Sequence, residues 1–184
     1  MKKLLLLPFI VLSFVATAQT TAIPDANFEQ ELINLGYDNV IDGGVLTASI
    51  DTVTSLNVSL QSISDLTGID DFAALTYLNC QDNLLTNLDI TQNTALTDLR
   101  CQGNFLTSLD VTQNTALEFL FCYNNQLTSL DVSQNTALTV LVPNSNQLIS
   151  LNVSNNAALI TLSCGDNQLT SLDVTQNTAL ESLS

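Results

Sequence analysis

Leu96-Thr97-Asp98-Leu99-Arg100-Cys101-Gln102-Gly103-Asn104-Phe105-Leu106-Thr107-Ser108-Leu109-Asp110-Val111-Thr112-Gln113-Asn114-Thr115-Ala116 is one unit of a repeat that restarts at Leu75, Leu96, Leu117, Leu138, Leu159 and Leu180. A 21-residue spacing held without insertion makes each unit one coil of a solenoid, whose apolar edge is buried only by the coils on either side. Apolar residues take positions 1, 4, 6, 11, 14, 16 and 21 of the quoted coil. Positions 4 and 6 alternate with polar neighbours, which predicts a short strand with one buried face, and positions 14 and 16 do the same on the return side. Function is therefore to be sought on a repeated surface rather than in a pocket.

Two further coils carry the same frame as Leu75-x-x-Leu78-x-Cys80-x-x-Asn83-x-Leu85 and Leu117-x-x-Leu120-x-Cys122-x-x-Asn125-x-Leu127. This pattern resembles the leucine-rich repeat. Val53 to Ala74 reads as a divergent 22-residue coil with Leu56, Val58, Ile63, Leu66, Ile69 and Phe72 in its apolar places, and it resembles the internalin type of secreted bacterial leucine-rich repeat. The resemblance spans roughly residues 23–184 and implies a leucine-rich repeat solenoid, with a curved parallel β-sheet on its concave face, short strand and turn segments on its convex face, and a small N-terminal helical cap.

In proteins of this kind, positions 3, 5 and 7 face the concave surface. Here those positions read Tyr77, Asn79 and Gln81; Asp98, Arg100 and Gln102; Phe119, Phe121 and Tyr123; Val140, Val142 and Asn144; Thr161, Ser163 and Gly165. Phe119, Phe121, Tyr123, Val140 and Val142 would form one contiguous solvent-facing apolar patch, the usual mark of an interaction surface. Arg100, Gln102 and Asn144 flank it as polar contacts. The opposing reading is that β-rich strands tolerate aromatic residues without binding anything.

Cys80, Cys101, Cys122 and Cys164 all fall at position 6, where the family pattern has an inward leucine. Stacked coils put neighbours about 4.8 Å apart with parallel side chains, whereas a disulfide needs Cβ atoms about 3.8 Å apart and suitably directed. They are expected to be buried thiols filling a narrow core. Asn83, Asn104, Asn125, Asn146 and Asn167 at position 9 are expected to satisfy turn backbone, and Asn93, Asn114, Asn135, Asn156 and Asn177 at position 19 to do the same at the opposite turn. Pro143 replaces cysteine in the fourth full coil, and because proline cannot donate to a ladder a local distortion is expected there.

Asp89, Asp110, Asp131 and Asp173 recur at position 15, interrupted by Asn152. Either each accepts hydrogen bonds from its own following turn, or the column holds a metal, for which calcium is the natural hard cation. The first reading is preferred, and no cofactor is expected. The chain has no histidine, no Cys-x-x-Cys pair and no nucleophile elbow, so general acid-base chemistry lacks its usual players and no enzyme is expected.

Ahead of the repeats, Lys2 and Lys3 precede an apolar run from Leu4 to Val15, and Ala16-Thr17-Ala18 supplies small residues at a signal-peptidase site. Residues 1–18 read as a signal peptide, too short for a spanning helix of about 20 residues. Residues 19–52 read as the cap region, in which Phe28, Leu32 and Leu35 lie on one helical face and Val45 to Ile50 form a first strand. Residues 53–184 read as the repeats, incomplete at the C-terminus because they stop five residues into a new coil, so that the chain is either a fragment or has lost more repeats and a further domain. Loss of both lysines leaves Arg100 alone against 18 carboxylates and takes the formal charge from −15 to −17. Such a field repels nucleic acid and anionic membranes.

The expected protein is secreted or on the cell surface, with no membrane insertion after signal cleavage. It binds a protein or carbohydrate ligand through the concave face, in adhesion or recognition. The alternative is a passive spacer, or a targeting module for a further domain, stabilised or not by calcium.

Overall fold

The computed structural model describes residues 18–184, and the expected signal peptide lies almost wholly outside them. Each coil contributes one short strand to a parallel sheet: β3 (Ser55–Asn57), β4 (Tyr77–Asn79), β5 (Asp98–Arg100), β6 (Phe119–Phe121), β7 (Val140–Val142), β8 (Thr161–Leu162) and β9 (Ser182–Leu183), hydrogen-bonded in chain order. Register follows the repeat without slippage, with Leu56 beside Leu78, Leu78 beside Leu99, Leu99 beside Leu120 and Leu120 beside Leu141. Because side chains alternate across a strand, this central leucine points inward in every coil, and positions 3 and 5 share the outer face.

The remaining apolar positions close the coil. Leu96, Leu99, Cys101, Leu106, Leu109 and Val111 are all buried, as are their equivalents in the neighbouring coils, in one continuous core. Burying a leucine contributes about 1.5–3 kcal/mol, and the four coils that start at Leu75, Leu96, Leu117 and Leu138 repeat that gain at the same four leucine positions. All four cysteines are free and buried within the same column.

The two asparagine columns work differently. At position 9, the Asn104 amide donates to the carbonyls of Cys80 and Cys101, at 3.0 and 3.1 Å, while its Oδ1 accepts from the Leu85 N–H at 3.0 Å. Asn125, Asn146 and Asn167 repeat this arrangement. Every such side chain therefore ties its own turn to the coil before it. At position 19, Asn114 donates to the Ile90 and Asn93 carbonyls, both at 2.9 Å, but its buried Oδ1 accepts nothing, and the same holds for Asn93, Asn135, Asn156 and Asn177. The expectation that both columns act alike thus holds for their donors only.

Pro143 leaves β7 in register, yet it removes a rung. Cys80, Cys101 and Cys122 each donate a backbone N–H to the next strand, and proline has none to give to Ser163. Pairing of β7 with β8 covers two residue pairs, against three for each seam from β3 to β7.

At the N-terminal end, α1 (Ala26–Asn34) lies against the divergent coil, with Phe28 stacked on Phe72 at a centroid distance of 6.4 Å. Asp25 caps the helix through Oδ1, accepting from Asn27 and Phe28, and its Oδ2 accepts from the Ser64 N–H and hydroxyl and from the Asp65 N–H. Glu29, buried one turn on, accepts the backbone N–H groups of Asp42, Gly43 and Gly44 at 2.9, 2.7 and 2.9 Å. Two expectations are corrected in this region. The stretch from Val45 to Ile50 is not a first strand of the main sheet: β2 (Gly44–Leu46) pairs antiparallel with β1 (Thr20–Ala22), and α2 (Thr47–Ile50) follows at once. Leu35 is the C-cap of α1 and lies 41% exposed, because the helical face ends with the helix.

Candidate functional site

The outer face of the sheet carries the residues singled out from sequence. Phe119 stands beside Asp98 on one side and Val140 on the other, and Phe121 stands beside Arg100 and Val142. The patch is contiguous, as its spacing required. It is half-buried rather than open to solvent: Phe119, Phe121, Val140 and Val142 each have part of their surface covered. Neighbouring strands about 4.8 Å apart shield the flanks of one another's side chains, which leaves ring edges and tips for a partner. Tyr123 and Asn144, one row further along, are also half-buried.

Arg100 is more deeply integrated than a flanking contact. Its Nε donates to Asp98 Oδ1 at 3.1 Å and its Nη2 to Asp98 Oδ2 at 3.0 Å, a bidentate pair on one strand. The guanidinium carbon also lies 5.3 Å from the centroid of Tyr77 and 5.2 Å from that of Phe121, so the cation sits against one ring from the coil before and one from the coil after. Hydrogen bonding to Asp98 holds its proton more tightly than usual. Gln102 is buried, donates to Gln81, and has an Oε1 that accepts from no donor among the described residues.

The aspartate column lies on exposed turns. Asp89 accepts from the Thr91 hydroxyl and N–H, Asp110 from those of Thr112, and Asp131 and Asp173 from the N–H groups of Ser133 and Thr175. These bonds hold all four carboxyls below their ordinary range. The bonds are those of the turn-capping reading. Among the described residues no group of three acidic, cysteine or histidine side chains is placed to hold a metal ion. Burial also pushes the position-6 thiols up, Cys80 and Cys122 to about 12, Cys101 well above its usual value and Cys164 above it.

Two features escaped the sequence reading. Leu84 and Phe105 are nearly half-exposed at position 10 of successive coils, where Gln126, Gln147 and Gln168 stand later, and that contrast was the available signal. A cleft of about 630 Å³ opens beside the N-terminal strands, lined by Tyr37, Asp38, Val40, Asp42, Leu46 and Ser49 among others. Its walls come from segments with no periodicity to read.

One strand per coil, an inward leucine, an asparagine-tied turn and a variable outer row define a leucine-rich repeat solenoid. No protein-family model matches the chain. Internalin J of Listeria monocytogenes serotype 4b is 43% identical over 71 residues, which cover 39% of this chain and 8% of that protein. The solved functional domain of InlJ from Listeria monocytogenes, described as including a cysteine ladder, superposes with a TM-score of 0.71 at 35% identity over 92% of this chain and 44% of that one. An internalin of the same species, InlF, gives a TM-score of 0.69 at 19% identity over 88% of this chain and 56% of that one. A leucine-rich repeat protein of Leptospira interrogans gives 0.68 at 24% identity over 73% and 38%. The last two relate by fold alone. The chain has the leucine-rich repeat solenoid fold and is similar to bacterial internalins, and it spans less than half of the InlJ structure and under a tenth of internalin J.

Proposed function

We propose that this protein is an exported recognition module that binds a protein partner through the outer, concave face of its sheet, in adhesion or a related surface contact. One observation carries the reading: the in-register block of Phe119, Phe121, Val140 and Val142 is the apolar part of an outer row whose other members are polar. Such a block, half-covered at its flanks, offers ring edges and methyl groups to a partner at little ordering cost. Tyr123 extends the block along the turn, with Arg100, Gln102 and Asn144 as its polar margin. Export follows from residues 1–18 acting as a signal, with residues 19–52 as the cap and 53–184 as the repeats. Among the described residues no helix is long and apolar enough to cross a membrane.

The test is binding of the chain from residue 19 onward to an array of extracellular proteins and glycans, beside the triple variant Phe119→Ser, Phe121→Ser, Tyr123→Ser matched for folding by circular dichroism. Protein ligands lost only in the variant support the reading. Glycan ligands lost in the same way move it to carbohydrate recognition. Binding by neither protein favours the passive spacer.

A further inference from the structure

The outer face already shows how it holds a cation. Asp98 supplies a carboxylate, Tyr77 and Phe121 supply ring faces, and Arg100 is seated against all three. The row at position 3 runs Tyr77, Asp98, Phe119, Val140 in adjacent strands, so Asp98 has an aromatic neighbour on each side. Of these two position-3 rings Arg100 lies over Tyr77, and its second ring is Phe121, one row along from Phe119. An ionised carboxylate has about four lone-pair sites, and Arg100 takes two. The Phe119 side therefore repeats the ingredients of the Arg100 seat, carboxylate and ring, without a cation.

Among the described residues no second cation is present to fill that place. The chain has 18 acidic residues against three basic ones, and among the described residues Arg100 is the single cation. Gln102, two rows along, has a buried Oε1 with no donor among the described residues. The negative charge of the chain as a whole and the lone-pair sites left on Asp98 call for positive, donor-bearing groups. A cation over an aromatic ring is attracted by the ring's quadrupole, more strongly once desolvated, and a negative field raises the rate at which a basic partner arrives.

We propose that the outer face takes up a basic polypeptide segment, with an arginine or lysine of the partner seated between Asp98 and Phe119 beside the seat of Arg100. The inference rests on the proposed function, since it names the partner chemistry of that same surface.

The probe is a fluorescent peptide of alternating arginine and serine, compared with its citrulline counterpart, which keeps shape and loses charge. Full-length protein is titrated in about 0.15 M salt, where bare surface attraction is screened within about 8 Å. Three variants are compared: Phe119→Leu, the charge-neutral pair Asp98→Asn with Arg100→Gln, and Asp110→Asn with Asp131→Asn, which removes two charges from the far turns. The arginine peptide is expected to bind about tenfold or more tighter than the citrulline peptide, with a loss of about fivefold in Phe119→Leu and in the charge-neutral pair. The far-turn variant is expected to stay within about twofold, because its charges lie beyond the screening distance. Equal binding of the two peptides, equal losses in the far-turn and Phe119 variants, or no binding would each overturn the proposal. An array ligand that is lost in the Phe119, Phe121, Tyr123 triple variant yet indifferent to the Asp98, Arg100 pair would sink the basic partner while leaving the recognition surface standing. Array binding indifferent to the triple variant would remove both.

Discussion

Asn104 reaches back across a coil boundary to accept the backbone N–H of Leu85 at 3.0 Å. The same side chain donates to the Cys80 and Cys101 carbonyls, which also accept from Asn83 and Asn125, so replacing it with alanine orphans the Leu85 N–H in a dry interior. Each buried orphan costs about 1–3 kcal/mol. Asn104→Ala is therefore expected to lower unfolding free energy by about 1–3 kcal/mol. Asn114→Ala leaves the Ile90 and Asn93 carbonyls with their backbone donors, Asn93 and Leu96, and removes an Oδ1 that had no donor, and is expected to cost about 1 kcal/mol or less. Urea unfolding followed by circular dichroism measures both, and equal losses would contradict the distinction between the columns.

Asp25 makes the junction between α1 and the first coil sensitive to acid. Burial raises its carboxyl, but hydrogen bonds from Ser64, Phe28 and Asn27 outweigh this and hold it below its ordinary 3.8. A depressed folded value means that the stabilisation is present in full above the unfolded pKa and is lost as pH falls through the folded one. The urea midpoint of the wild type should be level near neutrality and decline below about pH 4. Asp25→Asn keeps a good N-cap but not the charge. It should be less stable than wild type at pH 7, with the gap closing as pH falls towards about 2. A gap that widens in acid would refute the assignment.

The cysteine column should resist thiol reagents for as long as the coils stay stacked. Burial holds Cys80 and Cys122 at about 12 and raises Cys101 and Cys164 as well. Cys164 is 8% exposed and the other three are wholly covered. At pH 8 a thiol-specific chromogenic reagent should label Cys164 first and the other three only in denaturant, since the thiolate is the reacting form. Prompt labelling of Cys101 in the native protein would show that the core opens locally.

Two left-handed glycines predict different penalties for the same change. At Gly68 a new Cβ would come within 2.5 Å of the Ala22 carbonyl oxygen and 2.6 Å of Ile23 Cδ1, in packing that cannot easily yield. At Gly103 it would meet the Asp82 carboxylate, the free end of an exposed side chain. The equivalent residues of other coils, Asp82, Asn124, Ser145 and Asp166, adopt positive φ with side chains present. Gly68→Ala is expected to cost about 3 kcal/mol, from strain together with the clash, and Gly103→Ala about 1 kcal/mol. Thermal unfolding of the pair decides the order.

Most of the coil was legible because the repeat states the same constraint again and again. Leu96, Leu99, Leu106 and Val111 follow from their spacing, and all are buried. The cap gave less away. Its strand at Gly44–Leu46 is set by pairing with Thr20–Ala22, a contact between two segments with no shared period. Leu35 looked helical by spacing, but whether a terminal turn buries its side chain depends on what lies beyond the helix. The outer face was legible in membership and not in chemistry. Arg100 and Asp98 stand two apart on one strand and so share a side, yet the fit of the guanidinium against Tyr77 and Phe121 depends on side-chain reach that a linear pattern does not carry.

The unbroken 21-residue register also bears on how such a chain can change length. Asn104 makes the same bonds to the coil behind it as Asn125 makes to its own predecessor. Deletion or duplication of one whole unit at the genetic level would therefore rejoin matching ends and leave both asparagine columns intact. Its effect would fall on the outer face: without Leu96 to Ala116, Phe121 would come to rest beside Asn79, and the only guanidinium of the solenoid would be gone. Length can thus drift at small cost to folding, while each gain or loss of a coil rewrites what the surface meets.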